Sequence, residues 1–255
     1  MNKIKIYLSV FFAVFYLTAC SQNFFWSHNK ISGFTVKYGA LYNWYAATDS
    51  RKITSSDDWV VTTYPQTDTL TTYLGGNTVS GGKLKETGLT YWDSPNSGAT
   101  NEVGFNARGA GKRIGTTGAF SSIKAEETTW TSTIFDLNNG RESRLAFSNN
   151  TTSITNATEI KSSGLPIRLI YVGAGTPTEY VGNDGKKYRV VTIGTQTWLA
   201  DNLCETKFRN GDVIPWYGAN PANYFTNAEW AALTTAGMCA YNNDLSNVAV
   251  PFSFP

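Results

Sequence analysis

Polar and apolar residues alternate most regularly in "KYRVVTIGTQTWLADNL", Lys187 to Leu203, late in the chain. A turn signal, "NDG", stands just before this run. The same two-residue period recurs in "RLAFS" and "PIRLIYV". Because successive side chains of a strand point to opposite faces, the pattern predicts β-strands over 187–193, 144–148 and 166–172.

Two other stretches carry the spacing of amphipathic helices. In "KYGALYNWYAATDS", the residues Tyr38, Leu41, Tyr42 and Tyr45 recur three or four positions apart, which predicts a short helix. In "PQTDTLTTYLGG", the proline stands near a helix start and Gly75 stands where a left-handed cap follows a helix end. A second short helix is therefore expected there.

A third helix is marked by its capping residues. Thr226 and Glu229 match a capping box, and Phe225 and Trp230 occupy the positions of a hydrophobic staple. Gly237 follows at a place where a glycine commonly ends a helix. These signals predict a helix between Thr226 and Gly237.

The remaining segments are punctuated by glycine and polar residues. Residues 75–130 predict loops with short strands, and "GAGTPTE" has the composition of a linker. The polar region from Trp130 to Gly164 is either a solvated hairpin surface or a recognition surface. Together with the predicted strands, this pattern indicates an α+β, mostly β fold with short helices and long loops.

The N-terminus is typical of a secretory signal. Lys3 and Lys5 precede the apolar run "IYLSVFFAVFYLT", which is too short for a comfortable membrane span. Ala19 before Cys20 resembles the bacterial lipoprotein cleavage box, in which the cysteine is lipidated; the alternative is a buried cysteine in an ordinary signal peptide. Ser21 resembles the outer-membrane sorting choice. We therefore expect a lipid-anchored, extracytoplasmic protein of the outer membrane or cell surface.

Charge argues against nucleic acid as a partner. Removing residues 1–19 takes away two lysines and no acids, so the formal charge falls from +2 to 0. A neutral chain lacks the basic field that captures polyanions. The mature chain keeps abundant tryptophan, tyrosine and phenylalanine, which supply enough apolar area for one large or two small domains.

Two cysteines, Cys204 and Cys239, remain after lipidation. An oxidising compartment would permit a disulfide between them, which would close a loop of about 35 residues and contribute roughly 3 to 4 kcal/mol. The alternative is two buried thiols that behave as small apolar groups. The sequence leaves both interpretations open, because it does not give the distance between the two Cβ atoms.

A weak calcium candidate lies in a glycine-rich segment. Asp93, Asn96, Asn101 and Glu102 bring oxygen ligands close together along the chain, as a flexible Ca²⁺ loop requires. No EF-hand spacing is present, so the same residues are better explained as turn caps. We expect no metal site.

Catalytic chemistry is sparse in this sequence. The single histidine, His28, stands in the tether region, and neither cysteine lies in a motif that activates a thiol. The adjacent acids Asp57 and Asp58, and Glu126 and Glu127, leave a carbohydrate-processing enzyme with paired carboxylates open as an alternative. We expect a non-enzymatic protein without a cofactor.

Several phrases together are similar to one bacterial family, the Fibrobacter succinogenes major paralogous domain. "DGKKYRVVTIGTQTWLADNL" and "GMCAYNND" resemble its opening half. "YGALYNWYAA", "LTTYLGG", "GGKLKETG", "YWDSPNSGATNEVGF", "WTSTIF" and "GLPIRLIY" resemble its closing half. The matching phrases cover most of residues 38–244.

The order of the two halves departs from that family, because the closing half comes first here. The chain is either a circular permutant whose pieces fold as one domain or two truncated neighbours of a tandem array. Exposed apolar faces and strand edges would be costly, which favours assembly. The expected divisions are a signal peptide over 1–19, a tether over 20–37, the closing half over 38–172, a linker over 173–186, the opening half over 187–244 and a tail over 245–255.

Assembly makes two geometric predictions. Asp244 should lie within about 25 Å of Tyr38, because the family spans that gap with a short connection. The strand over 166–172 should also lie beside the strand over 187–193.

The family further resembles C-type-lectin-like proteins, in which a variable binding surface follows a Trp-Ser-Ser-like motif. The segment after Trp130 has the corresponding place here, and Trp44, Trp92 and Trp130 are assigned to the core. The resemblance implies a ligand-binding surface at Phe135, Asp136, Asn138, Asn139, Arg141, Glu142 and Arg144.

These observations predict a lipid-anchored recognition or adhesion module of the cell envelope that binds a glycan or a protein. Aromatic faces together with asparagine and threonine side chains suit such ligands without requiring charge. The alternatives are the carbohydrate-processing enzyme and a purely structural envelope lipoprotein.

Overall fold

The computed structural model describes residues 35–142, 147–152, 158–218 and 225–250. The fold is mostly β with a few short helices, as the sequence predicts. The strands are β1 (Thr35–Val36), β2 (Leu41–Tyr42), β3 (Trp59–Val61), β4 (Ala110–Arg113), β5 (Phe120–Ile123), β6 (Glu126–Glu127), β7 (Trp130–Ile134), β8 (Asn139–Glu142), β9 (Phe147–Ser148), β10 (Thr158–Ile160), β11 (Leu169–Tyr171), β12 (Glu179–Val181), β13 (Lys187–Ile193), β14 (Gln196–Leu199), β15 (Met238–Cys239) and β16 (Ala249–Val250). The helices are α1 (Trp44–Ala47), α2 (Tyr64–Tyr73), α3 (Ser80–Leu84) and α4 (Asn227–Ala231).

The largest sheet has five antiparallel strands in the order β12-β13-β14-β11-β3. Strand β13 forms as the alternation predicts. The expectation that β11 lies directly beside β13 is wrong, because β14 lies between them. Ile170 of β11 pairs with Trp198 of β14, so residues early and late in the chain share this sheet.

Two smaller pairings bring the ends of the described chain together. β1 pairs antiparallel with β16, and β2 pairs antiparallel with β15. The amide of Tyr38 donates to the carbonyl oxygen of Asn247 at 3.0 Å. Three residues span at most about 11 Å, so the prediction that Asp244 lies within about 25 Å of Tyr38 is confirmed.

The remaining strands form two strand pairs and a three-stranded sheet. β4 pairs with β5, and β6 pairs with β9. β8 lies between β7 and β10, which makes a sheet in the order β10-β8-β7. This sheet carries the segment after Trp130 that the sequence assigns to recognition.

Of the first two predicted helices, the second forms as expected and the first is shorter. α2 begins at the capping residue Thr63, whose amide donates to the Gln66 side chain at 2.8 Å, and Gly75 follows the helix with φ +100°. The first predicted helix is reduced to α1, which is preceded by β2. The side chain of Asn43 accepts from the amide of Ala46 and sets this later start.

The third predicted helix begins as expected but ends early. Thr226 and Glu229 form the capping box. The prediction that Gly237 caps the end of this helix is wrong, because α4 stops at Ala231. Gly237 instead accepts from the amide of Asn43 at 3.0 Å and donates its own amide to the Asn43 side-chain oxygen at 3.0 Å.

The central strands are buried on both faces. Ile167 and Leu169 belong to one hydrophobic cluster, whereas Ile170 and Trp198 belong to a second cluster on the other face of the sheet. Trp92 and Trp130 are fully buried, as assigned from the sequence, and the partly buried Trp44 packs against the first cluster.

Candidate recognition surface

The predicted ligand-binding segment forms the turn between β7 and β8. Asp136 organises this turn, because its Oδ1 accepts from the amide of Asn138 at 2.8 Å and from that of Asn139 at 2.7 Å. The Asn139 side chain donates to both carboxylate oxygens. These hydrogen bonds, that from the Asn139 side chain foremost, hold the pKa of Asp136 below its usual range. The polar groups of the turn are therefore engaged with one another.

The apolar side chains of the same turn point to solvent. Ile134, Phe135 and Leu137 are 56%, 52% and 90% exposed. Ile160 of β10 lies opposite Asn139 in the neighbouring strand and is also exposed. We call Ile134, Phe135, Leu137 and Ile160 the hairpin tip. Exposed large apolar side chains gathered at one place commonly mark an interaction site.

The base of the hairpin is fixed to the domain by Trp44. The indole Nε1 of Trp44 donates to the carbonyl oxygen of Thr131 at 3.1 Å. Gly140 lies so close to the same ring that a Cβ at this position would overlap it. The tip is therefore presented on a support that packs against the core.

Lys161 holds the turn from the side of β10. Its Nζ donates to the carbonyl oxygen of Leu137 at 2.8 Å and lies 4.7 Å from the centre of the Trp44 ring. The backbone amide of Lys161 donates to Asn138 at 3.0 Å. Because this ammonium group is almost entirely buried, it binds the turn internally and adds little charge to the surface.

The structure brings together four of the predicted ligand-binding residues, Phe135, Asp136, Asn138 and Asn139. The backbones of Arg141 and Glu142 continue β8, but their side chains, and the whole of Arg144, lie outside the described residues.

Sequence reasoning missed the apolar members of the tip. It selected polar and charged residues, whereas Ile134, Leu137 and Ile160 contribute much of the exposed side-chain surface. A signal was present, since "TIFDLNNG" places apolar residues directly before a turn sequence, where burial is hardest to achieve.

The weak calcium candidates each have other partners in the structure. Asp93 forms an ion pair with Lys124, and Glu102 forms one with Lys83. Asn101 accepts from the amide of Asn106 at 2.9 Å, and the Asn96 side chain donates to two backbone carbonyls. Within the described ranges, no group of three or more histidine, cysteine or acidic residues is placed to hold a metal ion.

The two cysteines are separate, buried free thiols. Cys204 belongs to the first hydrophobic cluster and lies 3.3 Å from the Tyr188 hydroxyl, whereas Cys239 belongs to a third cluster around Trp230. Burial raises the pKa of both thiols to about 12, so they remain protonated at neutral pH. Cys20 and His28 lie outside the described residues.

Of the four adjacent acids, Asp57, Asp58 and Glu126 are exposed and Glu127 is buried. Asp57 is exposed and pairs with Arg209 at 2.7 Å. Glu126 is exposed, whereas Glu127 is fully buried and accepts from the amide of Arg108 at 2.5 Å. Burial raises the pKa of Glu127 to about 7, although the nearby Arg168 opposes this rise.

The family model described as the Fibrobacter succinogenes major domain matches residues 17–171. The chain belongs to this family. The match includes the tip hairpin and β11, but not the later segment from Lys187 that resembles the family's opening half. Among curated proteins and among solved structures, no significant match to the chain was found.

No described helix of this family member has the length and hydropathy that a membrane span requires.

Proposed function

We propose that this protein is a lipid-anchored recognition or adhesion module of the bacterial cell envelope, attached through Cys20 and without enzymatic activity. Its fold would be of the C-type-lectin-like type with the two halves of the family domain in permuted order. The mostly β architecture with short helices and long connections is compatible with that fold.

One observation carries the functional part of the proposal. The hairpin tip exposes Phe135 and aliphatic side chains while the polar groups of its turn bond to one another. A protein gains little by holding such residues in water, whereas burial of apolar area against a partner is favourable. The tip is thus suited to a protein surface, or to the apolar face of a sugar packed on Phe135.

Binding can be tested with a soluble chain that begins at Ser21. The wild type and the double variant Phe135→Ser, Leu137→Ser would be compared on a glycan array and in pull-downs from envelope extracts. We expect the double variant to lose at least about tenfold in affinity for any ligand found, because removal of central apolar contacts typically costs more than 1 kcal/mol.

Val213→Ser is the matched control, because Val213 is 64% exposed and lies outside the hairpin. It should bind as the wild type does. Equal binding by the double variant would place the ligand elsewhere and refute the tip as the recognition surface. The lipid anchor is checked separately: the full chain should fractionate with membranes, and Cys20→Ala should release it.

A further inference from the structure

A buried pair of acids joins the turn between β12 and β13 to the segment that follows β14. Asp184 lies in this turn and pairs with Lys186 through Oδ2. The same oxygen accepts from the Thr206 hydroxyl at 2.8 Å and from the Thr206 amide at 3.1 Å. The turn is thereby bound to residues more than twenty positions later in the chain.

Glu205 adds further hydrogen bonds between the β12–β13 turn and the segment after β14. Its Oε1 accepts from the amide of Asp184 at 2.9 Å and from that of Thr206 at 3.2 Å. Its Oε2 is buried and has no hydrogen-bond donor among the described residues. That oxygen lies against Gly182, where any Cβ would overlap it. The carboxyl group of Glu205 therefore sits in a site that offers no donor to a second charged oxygen.

The surroundings of Glu205 are aromatic and buried. Tyr42 of β2 donates to the Glu205 carbonyl oxygen at 2.7 Å, and Tyr180 of β12 and Tyr188 of β13 line the same region, with Cys204 adjacent in the chain. Burial raises the pKa of Tyr42, Tyr180 and Tyr188, and of the Cys204 thiol, so that these groups stay neutral up to pH 9. Lys186 is the cation of the cluster.

The two acids are driven to different protonation states. Burial, and then the charge of Asp184, raise the pKa of Glu205 to about 8. Burial alone would raise the pKa of Asp184 too, but Lys186 and the contact with Glu205 lower it below its usual value. At neutral pH, Asp184 is therefore the carboxylate and Glu205 the neutral acid, and two carboxylates facing one lysine are avoided.

We propose that Glu205 and Asp184 form a proton-dependent latch that closes the β12–β13 turn onto residues 204–206, and that loss of the Glu205 proton releases this turn. The latch also fixes the connection between the two pieces of the domain, because the turn lies at the end of that connection. An ionised Glu205 would need water at Oε2, which only opening of the turn admits.

Hydrogen exchange of the mature chain tests the latch. Glu205 titrates near pH 8 in the closed turn and near 4.5 when exposed. The latch is therefore fully stabilising below about pH 4.5 and weakens as the pH rises to about 8. Protection factors of residues 182–186, corrected for the intrinsic rate, should fall by about tenfold per pH unit between pH 6 and pH 8 and level off above it.

Glu205→Gln should remove this response. Its side chain is neutral at every pH and keeps an oxygen that can accept from the amide of Asp184. Glu127→Gln is the matched control, because Glu127 is another buried acid with a raised pKa that lies elsewhere in the domain. It should keep the wild-type response at residues 182–186.

A flat profile for the wild type, or the wild-type profile in Glu205→Gln, would overturn the proposal. A second measurement does not depend on the variants folding. The carbon-13 chemical shift of the Glu205 carboxyl group should titrate between about pH 7 and pH 9. A midpoint near 4.5 would overturn the proposal equally.

Discussion

Arg168 shows how a single buried charge organises the domain. Its guanidinium donates to the Asn202 side chain at 2.5 Å, and to the carbonyl oxygens of Phe105 at 2.7 Å and Asn106 at 2.9 Å. Glu127 lies 3.7 Å away. Burial lowers the pKa of Arg168 to about 10, which still leaves it charged at neutral pH. One side chain thus connects β11 to segments on either side of it in sequence.

Replacing Arg168 with methionine should destabilise the protein by about 3 to 5 kcal/mol, because the substitution leaves buried acceptors without a donor. The free energy of unfolding in urea would measure the loss. Arg189→Met is the control: Arg189 also binds a carboxylate, that of Asp201, but its side chain is 64% exposed. That variant should change stability by less than about 1 kcal/mol, and an equal loss in both would contradict the role given to burial.

Arg168 also shows where the alternation of apolar and polar residues fails to predict which side chains are buried. In "PIRLIYV", the two-residue period places Arg168 and Ile170 on the face opposite Ile167 and Leu169. Both are buried, because β11 lies between two hydrophobic clusters rather than between a core and water. A strand covered on both faces has no solvent side for the pattern to reveal.

At the scale of elements, the hairpin tip depends on the strand beside it. The Nζ of Lys161 binds the Leu137 carbonyl oxygen and lies over Trp44, so β10 supports a turn that belongs to β7 and β8. A short turn with exposed apolar residues would otherwise gain little from its own contacts.

Lys161→Met should therefore loosen the tip while keeping the apolar stem packed. We expect faster amide exchange at residues 135–139 and a loss of about 1.5 to 3 kcal/mol in unfolding free energy, because a charged hydrogen bond is removed. Lys187→Met removes an exposed ion pair with Glu179 and serves as the control. If exchange at the tip rises as much in the control, the support does not come from Lys161.

The capping signals among the elements were reliable at helix starts and less so at ends. The capping box predicted at Thr226 forms, and the structure adds a second at Thr63 that was not predicted; each needs only residues three positions apart. The end of α4 was predicted wrongly. Gly237 does not cap this helix, because its amide donates to the side chain of Asn43, which lies far earlier in the chain.

At the scale of the whole molecule, the closing contacts join distant parts of the sequence. β14 is inserted between β11 and β13, and β1 pairs with β16. Thr35 and Val250 are direct partners across that pair, so their Cα atoms lie about 5 Å apart. A turn of a few residues could connect them.

A rearranged chain should therefore fold. Residues 179–250, a four-residue glycine-serine turn and residues 35–172 would give the unpermuted order that our proposal implies. We expect a melting temperature within about 5 °C of that of residues 35–250, because no buried contact is lost and the cut falls in the connection after β11. Circular dichroism measures it.

A second position for the new termini serves as a control, because it tests whether the fold tolerates a cut at any place in the chain. New termini between Gly194 and Thr195 would divide the hairpin of β13 and β14 and should lower the melting temperature clearly. If the first rearranged chain fails to fold, the two pieces are not a permuted form of one domain.

The sequence by itself determined the β-rich class, the strand from Lys187, the starts of α2 and α4, the family resemblance and the place of the tip turn. These features depend on residues that are close in sequence. The tertiary structure decided the insertion of β14, the burial of Arg168 and the pairing of Asp184 with Glu205, because each depends on groups brought together from distant positions, where packing and desolvation outweigh local preference.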